Sequence, residues 1–338
     1  MRNGRYNLNG KRVIVSRTDS LGDVVLTLPV AAILKRLFPQ CQVIFLGRSY
    51  TRELLNCCEN IDEVADWETL ENSEAGLSVL RADAIIHVFP RKEICIAAKK
   101  ARIPLRLGTT NRMYHWGRCN KLVRLSRRHS PLHESQLNLK LLVPLGAKRV
   151  FSLDEIPNLY ALTKVPPLSD ALRHQLDPQR FNLILHPGSK GSAREWGLEN
   201  FSSLMELLPK DKYRVFVTGT REEGERMGNE FFSKHPEVVN LCGQCSLSDL
   251  ICFIANTDGM VAGSTGPLHI ASATGRSVIG LYPPIKPMHP GRWAPVGSCA
   301  YYLVANHSCS RCRKKGPCHC MLEITPEMVR AKLAEIFG

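Results

Sequence analysis

No apolar run in this 338-residue sequence reaches the roughly 18–20 residues that a bilayer-spanning helix needs. The opening MRNGRYNLNGKRVIVSRTD holds no apolar stretch of signal-peptide length either, so a cytoplasmic protein is expected. The nucleotide loops that are easiest to recognise are missing too. GxxxxGK(S/T) does not occur, nor does GxGxxG with an acidic residue about 20 positions further on, which disfavours ATP hydrolysis and hydride transfer. Helix-turn-helix and zinc-finger spacings are absent, and aromatics do not interleave with the basic residues as in a single-strand-binding platform. Acidic residues are missing from one long stretch. Between Ile94 and His133 there are ten Lys or Arg and no Asp or Glu. A block of that sign, in a chain of formal charge +14, attracts nucleic acid, an anionic membrane face or a phosphorylated substrate.

Thirteen cysteines are present, but a reducing compartment argues against a disulfide scaffold. Nine sit singly or in close pairs, mostly inside apolar patterns where a thiol is a small hydrophobe. The other four, Cys309, Cys312, Cys318 and Cys320, are a candidate structural zinc set. One residue between Cys318 and Cys320 is short for a second knuckle, so reduced, unligated thiols are the competing reading.

Continuous apolar strands alternate with amphipathic helices in both halves, which predicts α/β units with parallel sheets. Strands are expected at 13–15, 42–47, 83–89, 181–185, 213–217, 259–262 and 277–281. Helices are expected at 23–38, 198–208, 222–234, 247–256 and 267–274. The Pro-rich segment around 157–180 marks the boundary. The expected division is an N-terminal domain 1–165, a linker 166–180, a C-terminal domain 181–324 and a terminal helix 325–338 capped by Thr325.

Three turns carry chemistry. In AGSTGPLHIASATG a strand ends, a small polar turn follows, and Pro267 opens a helix. The N–H groups of Thr265 and Gly266 at that positive helix end suit a diphosphate, with His269 in the first turn. In LILHPGSKGSAREW, Ser189, Lys190 and Arg194 supply hydroxyl and cationic partners for phosphate, and Trp196 serves as an anchor for the loop. In VFVTGTREEGERM, Glu222 and Glu223 open a helix, as the macrodipole favours, or accept hydrogen bonds from a ribose diol. A fourth corner, SLGD, places Gly22 and Asp23 after the first strand.

Together, Ser20-Leu21-Gly22-Asp23, His186-Pro187-Gly188 with Arg194-Glu195-Trp196, and Ser264-Thr265-Gly266-Pro267-Leu268-His269 resemble glycosyltransferase family 9, the ADP-heptose:lipopolysaccharide heptosyltransferases. The resemblance implies the GT-B fold, two Rossmann-like domains facing across a cleft, with the sugar nucleotide mainly on the C-terminal domain. It implies inverting transfer of heptose from ADP-heptose to a phosphorylated, lipid-linked inner-core acceptor, with no cofactor required. By the same resemblance Asp23 is the base, with Gly22 allowing close approach. Thr265 and Gly266 are the phosphate turn, and His269 contacts ligand. Glu223, or its neighbour Glu222, holds the nucleoside.

Arg194 stands where the family usually has Lys, Ser264 where it has Asp, and Cys245 where it has a Met near adenine. Those departures keep a different sugar nucleotide open as an alternative donor. The basic block suits an acceptor presented at the anionic inner face of the inner membrane, where the protein would be peripheral. A basic nucleic-acid-binding protein is the non-enzymatic alternative, although no nucleic-acid partner is expected. HESQLNL, with His133, Glu134 and Asn138, also resembles a family stretch without indicating roles.

Overall fold

A computed structural model describes residues 6–286, 288–305 and 319–337. The chain divides after Lys164 into two compact units, each built on one parallel sheet. In the first unit the strands are β1 (Arg12–Ser16), β2 (Gln42–Gly47), β3 (Glu63–Asp66), β4 (Ala84–His87), β5 (Leu105–Thr109) and β6 (Lys121–Val123), arranged β3-β2-β1-β4-β5-β6. The second unit holds β7 (Phe181–His186), β8 (Tyr213–Val217), β9 (Val239–Asn240), β10 (Gly259–Gly263), β11 (Ser277–Tyr282) and β12 (Ala300–Val304), arranged β12-β11-β10-β7-β8-β9. Counted within its own unit, each sheet follows the doubly wound order 3-2-1-4-5-6. The order reverses between β1 and β4 in one unit and between β7 and β10 in the other. Ligands of such sheets bind beyond the carboxyl ends of the strands at that reversal.

The central strands form because their middle positions are consecutively apolar, a run that only a sheet covered on both faces can bury. Val13, Ile14 and Val15 of β1 and Leu183, Ile184 and Leu185 of β7 are fully enclosed. The strands not expected from periodicity are β3, β5, β6, β9 and β12; four of them are sheet edges and β5 lies beside one.

The single helix expected over 23–38 is instead two, Leu21–Val25 and Leu28–Leu37. Pro29 stands in the first turn of the second helix, where its missing N–H costs nothing, and its ring opposes continuation from the first. The break is sealed by side chains. Thr27 donates its hydroxyl to the Asp23 carbonyl at 2.8 Å, and the Asn138 amide donates to the Leu26 carbonyl at 3.0 Å.

Residues 166–180 fall in the second unit and include the one-turn helix Asp170–Arg173. The terminal helix Pro326–Phe337 is likewise built into that unit. Its Val329 and Leu333 share a core with Trp196, Phe201 and Leu204, and the Trp196 indole donates to the Ile324 carbonyl at 2.6 Å. Trp196 is therefore an anchor: it ties the loop carrying Arg194 to the C-terminal segment. Cys309, Cys312 and Cys318 lie outside the described residues. Cys320, on the helix His319–Leu322, is buried against Ile285 and Ala305.

Candidate functional site

At the carboxyl end of β1 the chain delivers Arg17, which is 2% exposed and surrounded by carboxylates. Its Nε donates to Asp19 at 2.7 Å, one terminal nitrogen to Glu134 at 3.0 Å, and the other to Asp23. Burial alone would drive the proton off, but the opposing charges of Asp23, Asp19 and Glu134 outweigh it and raise the pKa of Arg17 above its ordinary value. Asp23 also accepts from the Ser20 hydroxyl. Its side chain keeps 16% exposure, so the carboxylate is held on one side and open on another.

HESQLNL acquires roles here. His133 caps the helix Glu134–Lys140 in a capping box with Gln136. Glu134, fully buried, bridges Arg17 and Arg127, the latter at 2.9 Å. Arg127 reaches on to the Val88 carbonyl at 2.9 Å, beyond the end of β4, and to Asn138 at 3.0 Å. Asn138 in turn pins the helix break beneath Asp23. The residues that position Asp23 thus come from both sides of the β1/β4 reversal.

Three carboxylates (Asp19, Asp23, Glu134) meet two guanidiniums (Arg17, Arg127), leaving one excess negative charge. That excess is visible at Asp19. Burial, opposed by Arg17 and reinforced by Asp23, pushes its pKa up from 3.8 to about 6. Sequence reading singled out neither Arg17 nor Asp19. The available signal was an arginine directly after an apolar strand, two residues before one aspartate and six before another.

In the second unit, β7 and β10 are neighbours, with His186 opposite Ala262. Their carboxyl ends therefore bring together two of the turns singled out from sequence. A Cβ on Gly263 would lie 3.4 Å from the Arg194 carbonyl, which fixes the 189–196 loop against the end of β10. Thr265 is the N-cap of the helix Gly266–Ala273, yet its hydroxyl makes no cap hydrogen bond. Its Oγ1 is buried and has no partner among the described residues. An N-cap threonine normally uses that oxygen on the helix's own N–H groups; here it is left for something else. His269, buried, sits one turn on and donates its backbone N–H to the Thr265 carbonyl at 3.3 Å. Ser264 is hydrogen-bonded to the buried Tyr282 hydroxyl, which itself donates to the Trp293 carbonyl at 2.6 Å.

The remaining candidates separate by exposure. Ser189 donates its hydroxyl and its N–H to Glu195, both at 3.0 Å, so it organises the loop from within. Lys190 is exposed at the loop tip in a left-handed conformation, φ 48°. A non-glycine residue held there is strained, and such strain collects at functional loops. Glu223 is 5% exposed. It closes a capping box with Thr220, and its carboxylate fills the space a Cβ on Gly188 would need. Glycine at 188 is what lets the loop lie over it. The carboxylate that remains accessible is Glu222, exposed in the first turn of Arg221–Lys234. His186, pushed down to about 4 by burial, is neutral and paired with the Thr218 hydroxyl at 2.8 Å.

The pattern of glycosyltransferase family 9 (heptosyltransferase) matches residues 143–320. The chain is 26% identical over 316 residues to a Haemophilus influenzae protein assigned as a glycosyltransferase, spanning 85% of this chain and 86% of that one. The structure of an Escherichia coli ADP-heptose lipopolysaccharide heptosyltransferase II superposes with a TM-score of 0.75 at 20% identity, over 96% of this chain and 98% of that one. A family 9 glycosyl transferase from Veillonella parvula superposes with a TM-score of 0.81 at 19% identity, over 99% of both. These two structures share the fold, the GT-B class of paired Rossmann-like units. The family pattern covers more than half of the chain and contains both turns of the β7/β10 reversal, and so the chain belongs to glycosyltransferase family 9 and is a glycosyltransferase.

Proposed function

We propose that the protein transfers heptose from ADP-heptose, with inversion, to a phosphorylated inner-core lipopolysaccharide acceptor. The reading rests on the unpartnered Thr265 hydroxyl at the head of the Gly266–Ala273 helix. A helix N-terminus with a buried, unused hydroxyl suits a diphosphate, since the helix dipole and N–H groups favour negative charge. Arg194 and Lys190 add positive charge where the departing diphosphate needs it. This charge supports a mechanism that requires no resident cofactor. Glu222 is the accessible carboxylate for the nucleoside diol.

In the other unit Asp23 takes the proton of the acceptor hydroxyl as its oxygen bonds to the anomeric carbon. The bond from that carbon to the diphosphate breaks and ADP leaves. Arg17 and Ser20 hold the carboxylate in one orientation for this step. The test is turnover. Incubation with ADP-heptose and a heptose-deficient core should release ADP and add one heptose to the acceptor. Turnover only with another sugar nucleotide would move the donor assignment, and no turnover with any would sink the reading.

Thr265→Val tests the cradle separately. Because the hydroxyl has no partner among the described residues, its removal should leave the melting temperature unchanged. A hydrogen bond to a charged group contributes about 1.5–3 kcal/mol, so ADP affinity by calorimetry should fall about 10- to 100-fold. Unchanged affinity would place the diphosphate elsewhere.

The basic block is not uniformly a free face. Arg127 is turned inward on Glu134, and Arg106 donates to the Arg118 carbonyl at 2.7 Å. Lys99, Lys100, Arg102, Arg112, Arg124 and Arg128 are exposed. Among them the short helix Met113–Trp116 presents Met113 at 91% and Trp116 at 64% exposure. An exposed Trp and Met in a segment rich in exposed cations support peripheral association with the anionic inner face of the inner membrane. Each surface Lys or Arg contributes about 1 kcal/mol at such a face. The double variant Met113→Ser, Trp116→Ser should sediment less with phosphatidylglycerol vesicles while keeping turnover on a detergent-solubilised acceptor. Equal sedimentation would assign these side chains no membrane role.

A further inference from the structure

Beneath that exposed helix lies a set of groups that the transfer reaction does not use. His87 is the last residue of β4, Cys95 lies on the helix Lys92–Lys100, and Cys119 follows the helix Met113–Trp116. All three are buried. One ligand atom from each lies within 4.8 Å of the others. Both ring nitrogens of His87 are buried without a hydrogen-bond partner among the described residues. Leaving a buried imidazole so unsatisfied is costly, and natural cores rarely do so without a reason.

We propose that His87, Cys95 and Cys119 bind a thiophilic divalent metal ion, zinc in the first instance. The spacing fits that ion and not a disulfide. The two sulfurs are 3.7 Å apart. Tetrahedral zinc with Zn–S bonds of about 2.3 Å separates two thiolates by about 3.8 Å, whereas a disulfide needs about 2.0 Å. Two thiolates and a neutral imidazole are a donor set zinc accepts. Binding releases one proton from each thiol to solvent, and the two thiolates balance the ion's charge. The fourth position is left to water.

His115 backs the site. Its ring stands 5.6 Å from that of His87, and its Nδ1 lies 3.1 Å from the Thr109 carbonyl. The ion would fasten the Lys92–Lys100 helix and the segment after Trp116 to the end of β4. In that place its role is to hold the exposed Met113–Trp116 helix, not to touch sugar or phosphate.

The test uses the full chain with Cys309, Cys312 and Cys318 changed to Ser, so that the tail contributes no signal. Cobalt(II) titration should give a thiolate-to-cobalt charge-transfer band saturating at one equivalent. Zinc should remain bound at one equivalent after gel filtration. Adding Cys95→Ala, Cys119→Ala or His87→Leu should abolish that equivalent, with circular dichroism reporting the fold. X-ray absorption on the zinc-loaded tail variant needs no further substitution, and should show two sulfur scatterers at about 2.3 Å with lighter atoms near 2.0 Å. No cobalt band and no retained zinc in the folded tail variant would overturn the proposal. So would a mass two hydrogens low with a peptide joining Cys95 to Cys119.

Discussion

Asp23→Asn should lower the transfer rate about 10²- to 10⁴-fold, the usual contribution of a positioned general base. Affinity for the nucleotide sugar should stay within about twofold. The substitution keeps the shape of the side chain: its amide oxygen can still accept from Arg17 while its nitrogen donates to the Ser20 hydroxyl. It also removes the excess negative charge from a cluster that holds three carboxylates against two guanidiniums. Arg17 retains Asp19 and Glu134, so the unit should fold. Loss of rate without loss of donor binding separates a base from a donor ligand. A donor affinity lowered tenfold or more, or a rate unchanged, would remove Asp23 from that role.

The pH profile offers a second reading of the same cluster. Asp19 takes up its proton near pH 6 in the folded protein and near 3.8 when unperturbed. Below about pH 6 Asp19 is neutral and the guanidinium of Arg17 is left to Asp23 and Glu134 alone, which changes the charge around the group that holds the base. Transfer should therefore change near pH 6, and Asp19→Asn should remove that inflection. The stability sign follows from the shift. A carboxylate whose folded pKa is raised contributes stability that is fully present below about pH 4 and lost as pH climbs through 6. At neutral pH Asp19→Asn should raise the melting temperature.

What the sequence made legible was whatever local pattern encodes. β1, β7, β10 and β11 are apolar at nearly every position, and no other arrangement buries them. The strand-turn-helix at Gly263–Gly266 announced itself through small residues followed by Pro267. Pro29 was equally visible, but its consequence was not. A proline in a first turn and a proline inside a helix differ only in where the helix begins, and that beginning is set here by Thr27 and Asn138, the latter from a helix more than 100 residues later.

The site shows the same division. Asp23, Thr265 and Arg194 lie in turns whose chemistry is local. Arg17, Glu134 and Arg127 become intelligible only when β1 and β4 are adjacent, since Glu134 meets Arg17 across 117 positions. Glu222 and Glu223 are indistinguishable by composition. Which one is accessible depends on the capping box and on Gly188 lying across the Glu223 carboxylate. Burial, which sequence does not display, decides between them.

Arg17→Met should be the most damaging single change in the N-terminal unit. It leaves Glu134, fully enclosed, with Arg127 alone and strips Asp23 of its cation. Breaking one side of a buried ion pair typically costs about 3–5 kcal/mol, because a charge remains where water cannot reach it. For a unit of this size about 1 kcal/mol moves the melting temperature by some 2–4 °C, so a fall on the order of 10 °C is expected. Folding and catalysis can then be separated. Adding Asp19→Asn neutralises a carboxylate that the change leaves without its cation, while Glu134 keeps Arg127, and neutralising both members of a buried pair is often tolerated. The double variant should recover most of the melting temperature but little of the transfer rate, because Asp23 is still unheld. If Arg17 served the fold alone, rate would return with stability. Recovery of stability without rate would make it the residue that positions the base.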